Sequence, residues 1–234
     1  MNAWNRNVNA AYPVVGAVDV QAIMRQVYLW MLFGMLLTAG VAYITVSTPL
    51  IYLAANPIAM LVAIVAEFGL VLGISFGFNR LSAGVATVLF FAYAALNGFT
   101  LSTVLLVFTT GSVFLAFVAT AALFGAMSIV GYTTKVDLSK LGTFLIMGVI
   151  GLVIAMVINL FVNSGPLDTL ISVAGVLIFT GLTAFDTQRI GRMAAQLSAA
   201  GDSGLKFGIL GALRLYLDFI NMFLFMLRLT GRRR

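Results

Sequence analysis

The chain has 234 residues, of which 62% are hydrophobic and only 9% are charged, and its formal net charge is +6. A soluble domain averages about 25% charged residues, so this composition excludes a water-soluble fold and indicates an integral membrane protein. The sequence contains no Cys and no His, which excludes disulfides, thiolate-bound metals, imidazole-held metal or haem sites and a Ser–His hydrolase.

Seven apolar stretches follow a mixed polar segment, residues 1–26, which we predict to be a cytoplasmic tail. Each stretch reaches the roughly 20 residues that a helix needs to cross a bilayer. The predicted spans cover residues 27–47, 57–78, 81–108, 112–134, 141–163, 168–190 and 206–228. We therefore predict an all-α integral membrane protein, with one seven-helix domain over 27–228 and a basic tail at 229–234.

The distribution of Lys and Arg predicts the orientation. The loops on one side of the spans carry eight basic residues and those on the other side carry none. The eight are Arg6, Arg25, Arg80, Lys135, Lys140, Arg189, Arg192 and Lys206. The positive-inside rule then places the N-terminus in the cytoplasm. Because these residues are scattered singly, they do not indicate a nucleic-acid partner.

Four arginines at the C-terminal end, Arg228 and those at 232–234, do not fit this asymmetry. Two topologies remain open for the last apolar stretch. A seventh crossing, which we favour, would leave these arginines outside, where Arg228 can extend to the interface. A re-entrant segment would return them to the cytoplasm.

Asp218 is the clearest candidate for function, because a charge at the bilayer centre costs about 2.5–3.5 kcal/mol or more. It lies 12 residues after Lys206 and 10 before Arg228, or about 18 Å and 15 Å from the two ends of the span. Helical spacing places Arg214 and Asn221 on the same face. Either Arg214 and Asp218 form a self-neutralising structural pair, or Asp218 is a buried carboxylate in an ion or proton path.

Asp186 lies near the cytoplasmic end of the sixth span, three residues before Arg189. Alone, it could be an interfacial residue that pairs with Arg189. If the helix continues past Arg192, however, Asp186 lies deeper and can face Asp218.

Glu67 falls in the middle of the second span, on the face opposite Gly69, Gly73 and Gly77. Small residues at this spacing allow close helix packing. We therefore expect the glycine face to pack tightly and the second span to lie inside the bundle. Glu67 is either a protonated structural group or part of a functional network, and Asn97 in the third span is expected to link helices by hydrogen bonds.

Two motifs carry a family resemblance: FDTQ at residues 185–188 and LYLDFINMF at residues 215–223, followed by Leu227-Arg228. Together they resemble the Bax inhibitor-1 family, also called transmembrane Bax-inhibitor-motif proteins. The match is strongest over residues 180–230, and the lack of His and Cys with short loops is similar to a bacterial member. The resemblance implies a central seventh helix wrapped by the other six. It also implies a pH-sensitive calcium leak, here expected in a bacterial inner membrane.

The resemblance assigns the role of pH sensor and gate to Asp186 and Asp218, with Arg80 as the nearest match to a basic residue at the end of the second span. Two close carboxyl groups in low dielectric cannot both ionise cheaply, so they share a proton. We hypothesise that Ca²⁺ can replace that proton, bound weakly by both carboxylates with backbone carbonyls or Asn221. Arg214, Asn221 and Glu67 are expected to form the supporting polar network.

Other functions remain open. A proton-coupled small-molecule carrier would use Glu67 and Asp218 as proton sites. A non-transporting protein that modulates a membrane protease or cell-death regulator would need no buried acids. An enzyme ranks last, because no nucleophile–base pair or metal constellation is visible. The expected partners are the lipid bilayer, calcium ions and protons, with Ca²⁺ as a transported or transiently bound ion and no resident cofactor.

Overall fold

A computed structural model describes residues 20–77, 80–196 and 201–232, with the backbone alone described at 201–205. The helices within these ranges are α1 (Val20–Ser47), α2 (Leu50–Ala54), α3 (Pro57–Gly77), α4 (Ala83–Val107), α5 (Thr110–Thr133), α6 (Ser139–Val162), α7 (Gly165–Gln196) and α8 (Gly201–Thr230). All but α2 are long and apolar enough to cross a membrane. The prediction of seven spans is confirmed, and α2 is a short extra helix between the first two.

Three helices extend five or more residues beyond one end of their predicted spans. The first, α1, begins at Val20, inside the predicted tail, and residues 1–19 lie outside the described part of the chain. The division into tails and a membrane domain therefore stays a prediction. The sixth span, α7, runs to Gln196 and so continues past Arg192. The seventh, α8, has 30 residues, or about 45 Å of helix, which exceeds the bilayer's hydrocarbon thickness of about 30 Å.

The seventh span, α8, forms the centre of the bundle. In its membrane-spanning stretch 67% of the residues are buried, compared with 11–44% in the other six spans. It packs directly against α1, α4, α5 and α7. The outer helices α3 and α6 pack mainly on α4 and α7, respectively. The predicted central position of the seventh span is confirmed, and its main contacts in the described ranges come from four of the six surrounding spans.

The expected position of α3 inside the bundle is wrong. A Cβ atom added at Gly69 or Gly73 would meet no atom within 4 Å, so this face has no close neighbour. Phe68 and Phe76 are 66% and 84% exposed, whereas Ile74 on the opposite face is buried. Small residues permit close packing but do not supply a partner. This glycine face is therefore left at the periphery, where apolar side chains can meet lipid.

The end of α8 lies at the same end of the bundle as the loops after α4 and α6. The backbone N–H of Thr109 donates to the carbonyl of Arg232 at 3.1 Å, and Arg228 forms an ion pair with Asp168 at 3.9 Å. The alternative with a re-entrant last segment is therefore not observed, because α8 runs the full length of the bundle. The orientation relative to the cytoplasm stays a prediction.

Candidate functional site

The Asp218 side chain lies in the interior of the bundle on α8. The residue is 4% exposed, and its Oδ2 atom has no hydrogen-bond partner among the described residues. A buried carboxyl oxygen without a partner is costly in a low-dielectric interior. Such an oxygen can take up a proton or bind a cation. Asp218 is therefore the group of the site that is available for proton or cation binding.

Asp186 on α7 faces the same region from the neighbouring helix. It is 8% exposed, and its Oδ1 atom lies 3.5 Å from Nη1 of Arg214 on α8. The charges of Asp186 and Arg214 both act on the Asp218 carboxyl. The structure thus brings together two of the predicted acids and one predicted supporting residue. We call Asp186, Arg214 and Asp218 the acidic cluster.

The pairing inside the acidic cluster differs from the structural alternative drawn from helical spacing. Arg214 forms its ion pair with Asp186 across the helix interface, and no ion pair joins it to Asp218 in the described ranges. Arg189, the other predicted partner of Asp186, is exposed and lies 6.0 Å from the centre of the Phe185 ring. Arg189 interacts with Asp186 electrostatically, but the two side chains form no ion pair.

The remaining predicted site residues lie elsewhere. Arg80 is exposed after α3 and takes part in none of the ion pairs of the described residues. Asn221 is half-buried and donates to the carbonyl of Leu217 on its own helix at 2.8 Å. The structure does not bring Arg80 to the acidic cluster, so its role in the gate stays a prediction.

A second polar network lies on the other side of α8. Tyr216 is two residues from Asp218, or about 200° around the helix. Its hydroxyl donates to Oδ1 of Asn97 at 3.1 Å and lies 2.6 Å from Oγ1 of Thr38. Glu67 accepts from Thr100 at 2.7 Å, and the Asn97 amide lies beside the same carboxyl. We call Tyr216, Thr38, Asn97, Glu67 and Thr100 the tyrosine network.

The tyrosine network joins four helices, α1, α3, α4 and α8. The expected linking role of Asn97 agrees with these bonds, and Glu67 is a member of this network and not of the acidic cluster. Sequence reasoning missed Tyr216 and Thr38, because single hydroxyls inside apolar runs resemble ordinary membrane residues. The available signal was the Tyr inside LYLDF, since a buried Tyr usually finds a hydrogen-bond partner.

The acidic cluster suits a transient cation better than a resident one. No group of three or more acids, His or Cys that could hold a metal occurs in the part of the chain that the structure describes. Calcium takes six to eight oxygen ligands, and Asp186 with Asp218 supplies two carboxylates. The open Oδ2 of Asp218 fits a cation, but water or carbonyl oxygens would have to complete the shell.

Comparison with known proteins gives a consistent result over the whole bundle. A family model described as "Inhibitor of apoptosis-promoting Bax1" matches residues 20–234. The inner membrane protein YbhL of Escherichia coli K12 is 44% identical over 237 residues, covering 100% of both chains. Uncharacterized proteins of Deinococcus radiodurans and Borreliella burgdorferi are 43% and 42% identical, covering 92% and 90% of this chain and 92% of each relative.

Proposed function

The chain belongs to the Bax inhibitor-1 family, and on this premise we propose that it is a pH-sensitive calcium leak channel or transporter of a bacterial inner membrane. Asp186 and Asp218 form its gate. The observation that carries the proposal is the buried Asp218 carboxyl. One of its oxygens has no hydrogen-bond partner, and the carboxyl interacts electrostatically with Asp186 and Arg214. The printed name of the Escherichia coli relative supports the inner membrane, and the basic loops support a cytoplasmic N-terminus.

The charge balance of the acidic cluster provides the switch. Two carboxyl groups, one guanidinium and one shared proton sum to zero charge. Loss of the proton leaves one net negative charge in the bundle interior, which is costly there unless it is compensated. A calcium ion between the carboxylates removes this negative charge and leaves the cluster with a net charge of +1, so the ion is attracted to the site but is not held tightly there. The cluster therefore exchanges a proton for a cation.

Changes in the acidic cluster act on the contact between α7 and α8. These two helices pack along their length, and the Phe225 ring occupies the space where Gly175 lacks a side chain. Because Arg214 holds Asp186 across this contact, a change in the charge of either acid alters the attraction between the helices. A looser contact opens the path, and a site with only two protein carboxylates releases the ion readily.

Calcium flux into proteoliposomes tests the proposal, with a trapped calcium dye read from about pH 5 to about pH 8. Few unperturbed groups titrate in this range apart from His, and the chain has none. We expect Asp186→Asn and Asp218→Asn each to change the flux and flatten its pH dependence. The matched control is Asp137→Asn, which removes an exposed acid from a loop. If Asp186→Asn and Asp218→Asn both leave the flux and its pH dependence unchanged, these residues do not form the gate.

A proton-coupled small-molecule carrier is the second candidate, favoured by the hydrogen bonds that tie Glu67 into the tyrosine network. Proton movement that requires an added substrate would support the carrier, whereas calcium leak without a substrate would oppose it. A non-transporting modulator of a membrane protease or death regulator would tolerate Asp218→Ala in a functional assay. We assign no enzymatic activity and no resident cofactor, and take Ca²⁺ as the transported ion.

A further inference from the structure

A cleft of about 440 Å³ lies between α4, α6, α7 and α8, at the end of the bundle where α8 ends. One part of its lining is apolar and includes Leu160 and Leu227, whereas the other part is polar. The polar residues are Asn159, Asn163, Asp168 and Arg228. The cleft is thus amphipathic, and we call it the Arg228 cleft.

The polar part of the Arg228 cleft places one positive and one negative group side by side. Nη1 of Arg228 lies 3.9 Å from Oδ1 of Asp168, and the two side chains are 43% and 39% exposed. An ion pair this long leaves most guanidinium donors and carboxylate lone pairs available. Asn159 uses its Oδ1 to accept from the backbone of Ser164, which leaves its amide nitrogen as a further donor.

The apolar part of the Arg228 cleft lies at the outer surface of the bundle, where membrane-spanning helices meet lipid. Helices α4 and α6 have no extensive contact with each other in the described ranges, which leaves the cleft accessible between them. Leu160 lines it and is 79% exposed, and the adjacent Phe161 is 83% exposed. Arg228 itself stands near the end of a membrane-spanning helix, so we expect its guanidinium at the depth where lipid headgroups meet acyl chains.

We propose that the Arg228 cleft binds a glycerophospholipid whose headgroup carries both a phosphate and a primary ammonium, as phosphatidylethanolamine does. Arg228 binds the phosphate, a charge-assisted contact that guanidinium groups favour. Asp168 accepts hydrogen bonds from the ammonium, and the acyl chains lie over Leu160 and Leu227. A headgroup with only negative charge meets the Asp168 carboxylate, and a quaternary ammonium has no N–H to donate.

This lipid site is separate from the proposed gate. Arg228 follows Asp218 by 10 residues on α8, or about 15 Å along the helix axis. Asp168 contacts no member of the acidic cluster among the described ion pairs. The lipid site can therefore be present in a chain that conducts no calcium, and it can be absent from one that does.

Native mass spectrometry tests the site on the full chain released from nanodiscs with equal amounts of phosphatidylethanolamine, phosphatidylcholine and phosphatidylglycerol. We expect preferential retention of phosphatidylethanolamine. Arg228→Gln should reduce retention about tenfold, the effect of one charge-assisted hydrogen bond. Asp168→Asn should remove the preference over phosphatidylcholine. Arg192→Gln and Asp137→Asn, which alter an exposed ion pair at the opposite end of the bundle, should change neither quantity.

Photo-crosslinking of the unmodified chain keeps the proposal falsifiable if a variant fails to fold. A phosphatidylethanolamine with a photoactivatable acyl chain should label peptides around residues 156–163 and 224–228, and excess glycerophosphoethanolamine without acyl chains should not compete. Equal retention of the three lipids, labelling spread evenly over the exposed helices, or an equal effect of Arg192→Gln would overturn the site. Competition by the soluble headgroup would show a polar ligand site in place of a lipid site.

Discussion

Arg214 of α8 forms its ion pair with Asp186 of α7, at 3.5 Å, although Asp218 is the acid one turn away on its own helix. The guanidinium therefore connects two helices. Asp218 keeps an unpartnered oxygen as a result. A cross-helix ion pair beside an open carboxyl is an arrangement that a single change of charge can rearrange.

Replacing Arg214 by Gln tests the role of the guanidinium. Without the positive charge, ionised carboxyl groups in the acidic cluster lose their compensation, so the shared proton is retained to a higher pH. We expect the pH of half-maximal calcium flux to rise, by up to about one unit for a loss of about 1.4 kcal/mol. Arg192→Gln is the control, because its exposed guanidinium pairs with Asp137. An unchanged midpoint in Arg214→Gln would contradict the charge balance proposed for the gate.

Removing the Tyr216 hydroxyl tests the tyrosine network. The Tyr216→Phe change deletes the contact with Thr38 and the bond to Asn97, and an unpaired buried acceptor costs about 1–3 kcal/mol. We expect a lower free energy of unfolding in mixed detergent micelles. The double variant with Thr38→Val should be less destabilised than the sum of the single changes, by about 1 kcal/mol. Strict additivity would mean that the two hydroxyls do not interact.

Gly131 and Gly125 on α5 form a matched pair of substitution sites. A Cβ atom at Gly131 would overlap the backbone carbonyl oxygen of Ala184 on α7, whereas one at Gly125 would meet nothing within 4 Å. We expect Gly131→Ala to lower the free energy of unfolding by about 1–3 kcal/mol, the usual cost of overpacking. Gly125→Ala should be neutral or stabilising by up to about 1 kcal/mol, because Ala favours helix. Similar effects at both sites would disprove the close α5–α7 contact.

Asp137 lies in the loop between α5 and α6, and hydrogen bonds to its ionised form lower its pKa from 3.8 to about 2. The Ser139 hydroxyl is the main cause and the Arg192 guanidinium the next. Because the folded state favours the ionised form, the loop contact is complete above about pH 4 and is lost as the pH falls toward about 2. Carboxyl-carbon NMR should show a larger rise of the pKa in Ser139→Ala than in Arg192→Gln. The opposite order would contradict this assignment.

The spans and the acidic residues follow from the sequence because both depend on the local cost of polarity in lipid. An apolar run such as residues 141–163 is a membrane span whatever its neighbours are, and the observed α6 differs from it by two residues or fewer at each end. Asp218 could be identified in the same way, because a carboxyl group inside such a run needs a partner or a function.

The partners of these residues could not be predicted, because they depend on helix rotation and packing. Spacing along α8 favours an ion pair between Arg214 and Asp218, but at the interface with α7 Arg214 pairs with Asp186 instead. The glycines of α3 permit close packing, yet whether another helix lies beside Gly69 is decided by the rest of the bundle. Tyr216 acquires its role only when α1 and α4 bring Thr38 and Asn97 to its hydroxyl.

The most buried helix, α8, comes after the other described helices in the chain. During synthesis the earlier spans therefore leave the ribosome before the helix that four of them pack against exists. Until then, inward-facing groups such as the Asn97 amide and the Asp186 carboxyl lack the Tyr216 and Arg214 partners that they contact in the finished bundle. Assembly has to wait for α8, so a ribosome that stalls before this helix would release six membrane spans without the helix that fills their centre, a substrate for membrane quality-control proteases.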